Sequence, residues 1–189
     1  HEVFKYPIFV EVYGSSFPER RIKLSGMGGS GIIDATKIAL FNFDGDLIDH
    51  LTISGDDLVF TTHPTSLGIY SYELFVSNYF NNAHLPVGGN PSTIYNVTLG
   101  VGERLYGFSE ERFNNLSIDY RDFKEELKYP TNKDVSVFVY DSINFTNILY
   151  HYNVSEPTEN DNVYVISWSD VLINETGGME QITVLVKTW

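Results

Sequence analysis

The chain has 189 residues, and its 42% apolar and 15% aromatic content excludes an intrinsically disordered protein. A formal net charge of −13, with only 12 Lys and Arg residues, argues against nucleic acid as a partner, because phosphates require a basic surface. The absence of cysteine excludes disulfides and thiol chemistry, and no apolar run approaches the roughly 18 residues of a membrane-spanning helix.

The first predicted element is a strand at residues 3–12, where apolar side chains recur at every second position. Val3 opens this strand. One face carries the side chains that would fill a hydrophobic groove, namely Phe4, Tyr6, Ile8, Val10 and Val12. A Gly-Ser-Ser sequence at residues 14–16 follows and is typical of a hinge. We therefore expect a tail over residues 1–14 and a head domain over residues 15–189.

Strand-like runs continue to the end of the chain, separated by turns rich in Gly, Asp and Asn. They cover residues 21–24, 31–43, 58–62, 68–80, 93–99, 135–140, 143–152, 162–168 and 181–189. One charged segment, residues 109–127, has apolar side chains at helical spacing. The sequence predicts an all-β protein, an antiparallel β-sandwich of the pilin or immunoglobulin-like kind, with one short helical or irregular excursion.

Five N-x-Ser/Thr sequons occur in the chain, where roughly two would be expected by chance. Their acceptors are Asn96, Asn115, Asn144, Asn153 and Asn174. All follow residue 95, so the first strand carries no acceptor that would hinder its insertion into a groove. The sequence thus predicts a glycosylated, extracellular protein that carries covalent N-glycans and no other cofactor.

Two alternative functions compete with a structural one. An N-terminal His1 can chelate copper through its amine and ring, which resembles the lytic polysaccharide monooxygenases, but no second His lies in a recognisable motif. A monomeric carbohydrate-binding sandwich would instead display aromatic residues such as Trp168 or Tyr95, although we expect these to be core residues. Residues 44–49 resemble part of a calcium loop but lack its distant Glu, so an Asp-rich turn is expected there.

No nucleophile with a plausible base stands out, and we do not expect an enzyme. A strand as apolar as residues 3–12 needs neighbours on both edges and a groove for its side chains. A sandwich that lacks one strand exposes such a groove and an unpaired edge, and a strand donated by the next subunit fills both. Head-to-tail contacts of this kind generate open filaments.

The apolar first strand at residues 3–12, the Cys-free body rich in Tyr and Asn, and the five sequons together resemble the subunit of the archaeal thread. That family forms glycosylated surface filaments similar in architecture to bacterial type I pili. The resemblance implies donor-strand complementation, a homopolymer at the cell surface, and a role in adhesion or cell-cell contact.

Overall fold

The computed structural model describes the chain in ten segments, and the statements below concern these alone. They are residues 1–13, 20–24, 34–54, 57–62, 66–87, 95–115, 120–126, 128–143, 146–152 and 156–189. Two compact units are formed: unit 1 comprises His1–Tyr106 with Glu175–Gly177, and unit 2 comprises Gly107–Asn174 with Gly178–Trp189. Both are built mainly from antiparallel strands, so the prediction of an all-β protein is confirmed.

The described residues form thirteen strands, two short helices and one 3₁₀ turn at Ala35–Lys37. In unit 1 the strands are β1 (Glu2–Val12), β2 (Arg20–Leu24), β3 (Ile38–Phe41), β4 (Leu51–Ser54), β5 (Asp57–Thr62), β6 (Gly68–Val76), β7 (Tyr95–Leu99) and β8 (Glu103–Tyr106). In unit 2 they are β9 (Phe108–Ser109), β10 (Val135–Asp141), β11 (Ile148–Tyr152), β12 (Tyr164–Ile173) and β13 (Met179–Thr188), with helices α1 (Glu110–Asn115) and α2 (Tyr120–Glu126).

Unit 1 contains two sheets that share one hydrophobic core. The larger has the order β3-β6-β1-β7, with β8 also paired to β1, and the smaller has the order β2-β5-β4. Ile8 and Val10 of β1, Leu74 of β6 and Phe60 of β5 are all completely buried in the same cluster. Side chains of both sheets therefore exclude water from a common interior, which is the main stabilising contribution in such a fold.

Unit 2 is a single sheet of order β11-β10-β13-β12-β9, in which only the short β9 runs parallel to its neighbour. One core cluster lies on the face where Val139 and Val184 from central strands meet Phe113 of α1. Phe113 also stacks on Tyr150, with ring centroids 5.0 Å apart. Helix α1 thus covers part of the sheet, because its apolar residue Phe113 packs on the strands.

The sequence located most of these elements but not their boundaries. The predicted excursion at residues 109–127 is confirmed as helical by α1 and α2. Three strands were missed, β4, β8 and β9, which have only two to four residues each and so carry little pattern. The proposed hinge at residues 14–16 lies outside the described residues, so the boundary at residue 14 stays a prediction.

Candidate functional site

The first strand, β1, lies between strands of its own chain on both edges. On one edge it pairs with β6, from Phe4 opposite Val76 to Val12 opposite Gly68. On the other edge, residues 2–5 pair with β8 and residues 8–12 pair with β7. We call the space that β1 fills, with β6 on one side and β7 and β8 on the other, the β1 slot.

The side chains predicted to fill a groove are all at least partly buried in the β1 slot. They are Val3, Phe4, Tyr6, Ile8, Val10 and Val12. Ile8 and Val10 are 0% exposed and Val12 is 3% exposed, and Tyr6 packs against the same cluster. From Ile8 to Val12 the alternation that predicted the strand also identified its buried face, whereas Val3, on the other face, is buried as well.

Pro7 lies where the second edge of β1 changes partner from β8 to β7. Proline cannot donate a ladder hydrogen bond, which normally keeps it out of central strands. Here the Pro7 carbonyl accepts a hydrogen bond of 2.7 Å from the N–H of Gly100, in the connection between the two partners. The N–H and C=O of a residue in an antiparallel strand point to the same side. The missing donor therefore faces this break in the ladder, where it costs little.

The connection between β7 and β8 approaches β1 closely. A Cβ atom on Gly100 would lie 2.6 Å from Pro7 Cγ, and a Cβ atom on Gly102 would lie 2.3 Å from the Tyr6 ring. Both distances are shorter than real Cβ contacts, so a larger residue at either position would have to displace Pro7 or the Tyr6 ring. The β1 slot is thus shaped to the side chains of this particular strand.

Charged side chains also fix the register of β1. Lys5 Nζ lies 2.6 Å from Glu73 Oε1 on β6 and 3.8 Å from Glu103 Oε1 on β8. Glu2 Oε1 lies 3.0 Å from Arg104 Nε. These contacts connect β1 to strands on both sides, and a slip by one residue would break them and reverse the buried face.

The structure describes the side chains of two of the five predicted glycosylation acceptors. Asn96 lies exposed on β7, and Asn174 is partly buried after β12. Asn115 ends α1, but its side chain is outside the description, as are the whole of Asn144 and Asn153. Asn96 is therefore the acceptor with a described, accessible side chain, and glycosylation itself stays a prediction.

The histidines give the copper hypothesis little support. The His1 ring stacks on Tyr79 with centroids 4.4 Å apart, and His84 Nε2 is 3.0 Å from the carbonyl oxygen of Ile38. His63 lies outside the described segments. Among the residues that the structure describes, no group of three His, Asp or Glu side chains is placed to hold a metal ion.

An Asp-rich turn borders a concave site of about 330 Å³ in unit 1. The Asn42 side-chain oxygen accepts 2.9 Å hydrogen bonds from the backbone N–H groups of Asp44 and Asp46. Gly45 adopts φ +85°, a left-handed conformation that favours glycine. The expected turn is confirmed, since the polar side chain of Asn42 organises its backbone.

Of the two aromatic residues proposed for a carbohydrate platform, the structure describes the side chain of one, Trp168. Trp168 on β12 is 40% exposed, so the expectation that it belongs to the core is wrong. Tyr164, on the same face, is 69% exposed. The side chain of Tyr95 lies outside the description. Sequence reasoning missed this surface because a strand at a sheet edge and one in its centre have the same alternating pattern.

Comparison of the chain with protein-family models, curated proteins and solved structures finds no match. In the described part of the chain, no helix is long and apolar enough to cross a membrane.

Proposed function

We propose that the protein is a structural subunit of an extracellular surface filament, in which β1 of one copy fills the β1 slot of the next copy. The observation that carries the proposal is the slot itself. It holds β1 by backbone pairing on both edges and buries Ile8, Val10 and Val12 in a core made by later strands. A strand held in this way has the contacts that donor-strand complementation requires.

The same contacts form whether β1 comes from its own chain or from a neighbour. The connection between Val12 and Arg20 must follow a different path, while the described pairing of β1 with β6, β7 and β8 is retained. A slot without its strand would leave β6, β7 and β8 with unpaired edges and would expose the core. Each large buried side chain contributes roughly 1.5–3 kcal/mol, so every subunit strongly favours a filled slot.

Repeated exchange in one direction is a heterologous contact that does not close, and it produces a filament. The resemblance to the archaeal thread subunit agrees with this arrangement and adds a pilin-like sandwich, N-glycans and a role in adhesion or cell-cell contact. The scarcity of Lys and Arg agrees with acidic surroundings, where protonated carboxylates would leave few charges to repel one another.

A pair of introduced cysteines tests whether the β1 in a slot comes from the same chain or from a neighbouring copy. Phe9 lies opposite Ser71 in the pairing of β1 with β6, and both side chains are exposed. Opposite residues in antiparallel strands have Cα atoms about 4.5–5.5 Å apart, which is within disulfide reach. The natural chain has no cysteine, so a Phe9→Cys/Ser71→Cys variant forms its disulfides at this pair alone.

After oxidation under native conditions, the filament proposal expects a ladder of covalent multimers on a non-reducing denaturing gel. Each single-cysteine variant can give no more than a dimer. A matched pair in unit 2, Val165→Cys with Lys187→Cys, joins β12 to β13 and should stay within one chain. If the Phe9/Ser71 variant yields only an internally bridged monomer, β1 belongs to its own sheet and the proposal is wrong.

A further inference from the structure

One edge of the sheet in unit 2 has no partner along most of its length. β12 pairs with β13 over all ten of its residues, from Tyr164 to Ile173. On its other edge β12 meets only β9, at Leu172 and Ile173. From Tyr164 to Val171, no strand of the described chain pairs with this edge, which therefore presents a row of backbone donors and acceptors.

This edge lacks the features by which proteins normally protect such strands. Its register with β13 is continuous, without a bulge, and residues 163–169 contain no Pro, Gly or charged residue. The opposite edge of the sheet differs. There, the pairing of β11 with β10 shifts register between Val139 and Tyr140, and the sequons at Asn144 and Asn153 flank β11. The β11 edge is thus interrupted, whereas the β12 edge is open.

The open edge also carries exposed apolar side chains on the core face of the sheet. Tyr164, Ile166 and Trp168 are 69%, 65% and 40% exposed. Their neighbours on β13 include Val186 and Val184, and Val184 is only 3% exposed within the core. The stripe formed by Tyr164, Ile166 and Trp168 therefore continues the buried core beyond the part that α1 covers.

We propose that this edge pairs with the same edge of a second copy, antiparallel, across a twofold axis at Ile166. Ile166 then faces its equivalent, and Tyr164 of each copy faces Trp168 of the other. Aromatic cross-strand pairs of this kind stabilise antiparallel strands, and here they occur twice because of the symmetry. The two sheets become one continuous sheet, in which the two stripes lie side by side on the same face and bury each other's flanks.

The distribution of charge favours a second copy as the occupant. The chain carries a net charge of −13, so two copies approach most easily along an uncharged segment, and residues 163–169 provide one. In the register centred on Ile166, the first charged residue, Asp170, falls opposite Asn162 and not opposite another Asp170. The edge is uncharged over residues 163–169 and can pair with itself in a symmetric register, as an isologous contact requires.

This pairing does not depend on the proposed function, because β12 takes no part in the β1 slot. If filaments form through β1, the β12 edge provides a second, lateral contact between subunits of different filaments. The two contacts are tested by different cysteine positions, so the failure of one is distinguishable from the failure of the other.

Single cysteines placed along the edge report on the contact and its register. The variants are Tyr164→Cys, Ile166→Cys, Ser167→Cys and Trp168→Cys, with Ile143→Cys as the control. Ile143 lies in unit 2, outside every strand, and is 91% exposed. We expect dimers on oxidation, with the greatest yield at Ile166 and with heterodimers when the Tyr164→Cys and Trp168→Cys chains are mixed. Yields no higher than that of Ile143→Cys, or a maximum at another residue, would overturn the proposal.

A charge at the axis gives an independent test. Adding Ile166→Lys to both chains of the Tyr164→Cys and Trp168→Cys mixture places two ammonium groups face to face, and we expect the heterodimer yield to fall by about tenfold or more. Ile143→Lys in the same background should leave the yield unchanged. An undiminished yield with Ile166→Lys contradicts the proposal. Binding of an oligosaccharide by a chain that forms no such heterodimer would also overturn it.

Discussion

Two long strands of the described chain, β1 and β12, are alike in sequence and opposite in surroundings. β1 has eleven residues and β12 has ten, and both are rich in β-branched and aromatic side chains. β1 is paired on both edges, whereas β12 is paired on one edge over most of its length. Ile8 is 0% exposed in the first strand, and Ile166 is 65% exposed in the second.

The difference shows that an alternating pattern predicts a strand but not the number of its neighbours. The neighbours of β1 come from residues 68–106, and their approach depends on glycines such as Gly100 and Gly102. β12 has no comparable partner on its outer edge among the described residues. The burial of a strand is therefore decided by distant segments that return to it, and these determine whether an apolar residue stabilises the fold or remains available for another chain.

The largest expected effect is that of Ile8→Ala in β1, which is compared with the same substitution in β12, Ile166→Ala. Ile8→Ala removes buried methyl groups from an enclosed core and should lower the free energy of unfolding of unit 1 by about 2–5 kcal/mol. Ile166→Ala changes an exposed side chain and should alter the stability of unit 2 by no more than about 0.5 kcal/mol. Urea denaturation of dilute protein measures both, with the transitions of the two units analysed separately because two-state behaviour is not assured for the whole chain.

The concentration of protein sharpens this comparison. If β12 pairs with a second copy, Ile166→Ala should become more destabilising as the concentration rises, because association contributes to the apparent stability by mass action. The destabilisation caused by Ile8→Ala should not depend on protein concentration, as long as all samples are in the same assembly state. Equal losses for the two variants in dilute solution would contradict the contrast between an enclosed and an open strand.

The part of the unit 2 sheet that α1 covers should show a pH-dependent stability, because it contains Tyr150. Burial, and then the negative charge of Glu110, raise the pKa of Tyr150 from 10.0 to about 12. The folded protein therefore retains this proton where the unfolded chain loses it. The resulting contribution to stability is fully present below pH 10 and is lost as the pH rises towards about 12.

Alkaline denaturation curves check this expectation. Tyr150→Phe should reduce the fall in stability of unit 2 between pH 10 and about 12, because the titrating group has been removed. Glu110→Gln should have a smaller effect in the same direction, since it removes the secondary cause of the raised pKa. Identical alkaline curves for the natural chain and Tyr150→Phe would show that α1 does not cover Tyr150 as described.

Sequence reasoning predicted the elements that are specified by residues close together in the chain and missed those that depend on distant strands. The apolar face of β1, the Asp-rich turn after Asn42 and the helical excursion follow from spacing and turn chemistry within a few residues. The short strands β8 and β9 exist because the longer strands β1 and β12 supply their partners, so their own residues carry little signal. The exposure of Trp168 was also beyond prediction, since it depends on the short β9 pairing with only two residues of β12.

The smallest expected effect concerns the ion pair that connects β1 to β6. Lys5 Nζ and Glu73 Oε1 are 2.6 Å apart, with side chains 25% and 48% exposed, so solvent weakens their attraction. A double-mutant cycle with Lys5→Met and Glu73→Gln should give a coupling of about 0.2–1 kcal/mol, which declines as salt is added. Arg121 and Glu125 on α2, 3.3 Å apart and 83% and 65% exposed, provide a helical control with an expected coupling of about 0.3–0.5 kcal/mol.

Reversing the charges of the same ion pair tests the origin of β1 in assembled protein. A Lys5→Glu chain and a Glu73→Lys chain each place like charges together in their own slots, but mixing them restores opposite charges across two chains. If β1 is exchanged between copies, the mixture should assemble better than either variant alone, by an amount set by this modest coupling. If β1 stays in its own sheet, mixing has no effect, because each Lys5→Glu strand still faces the glutamate of its own chain.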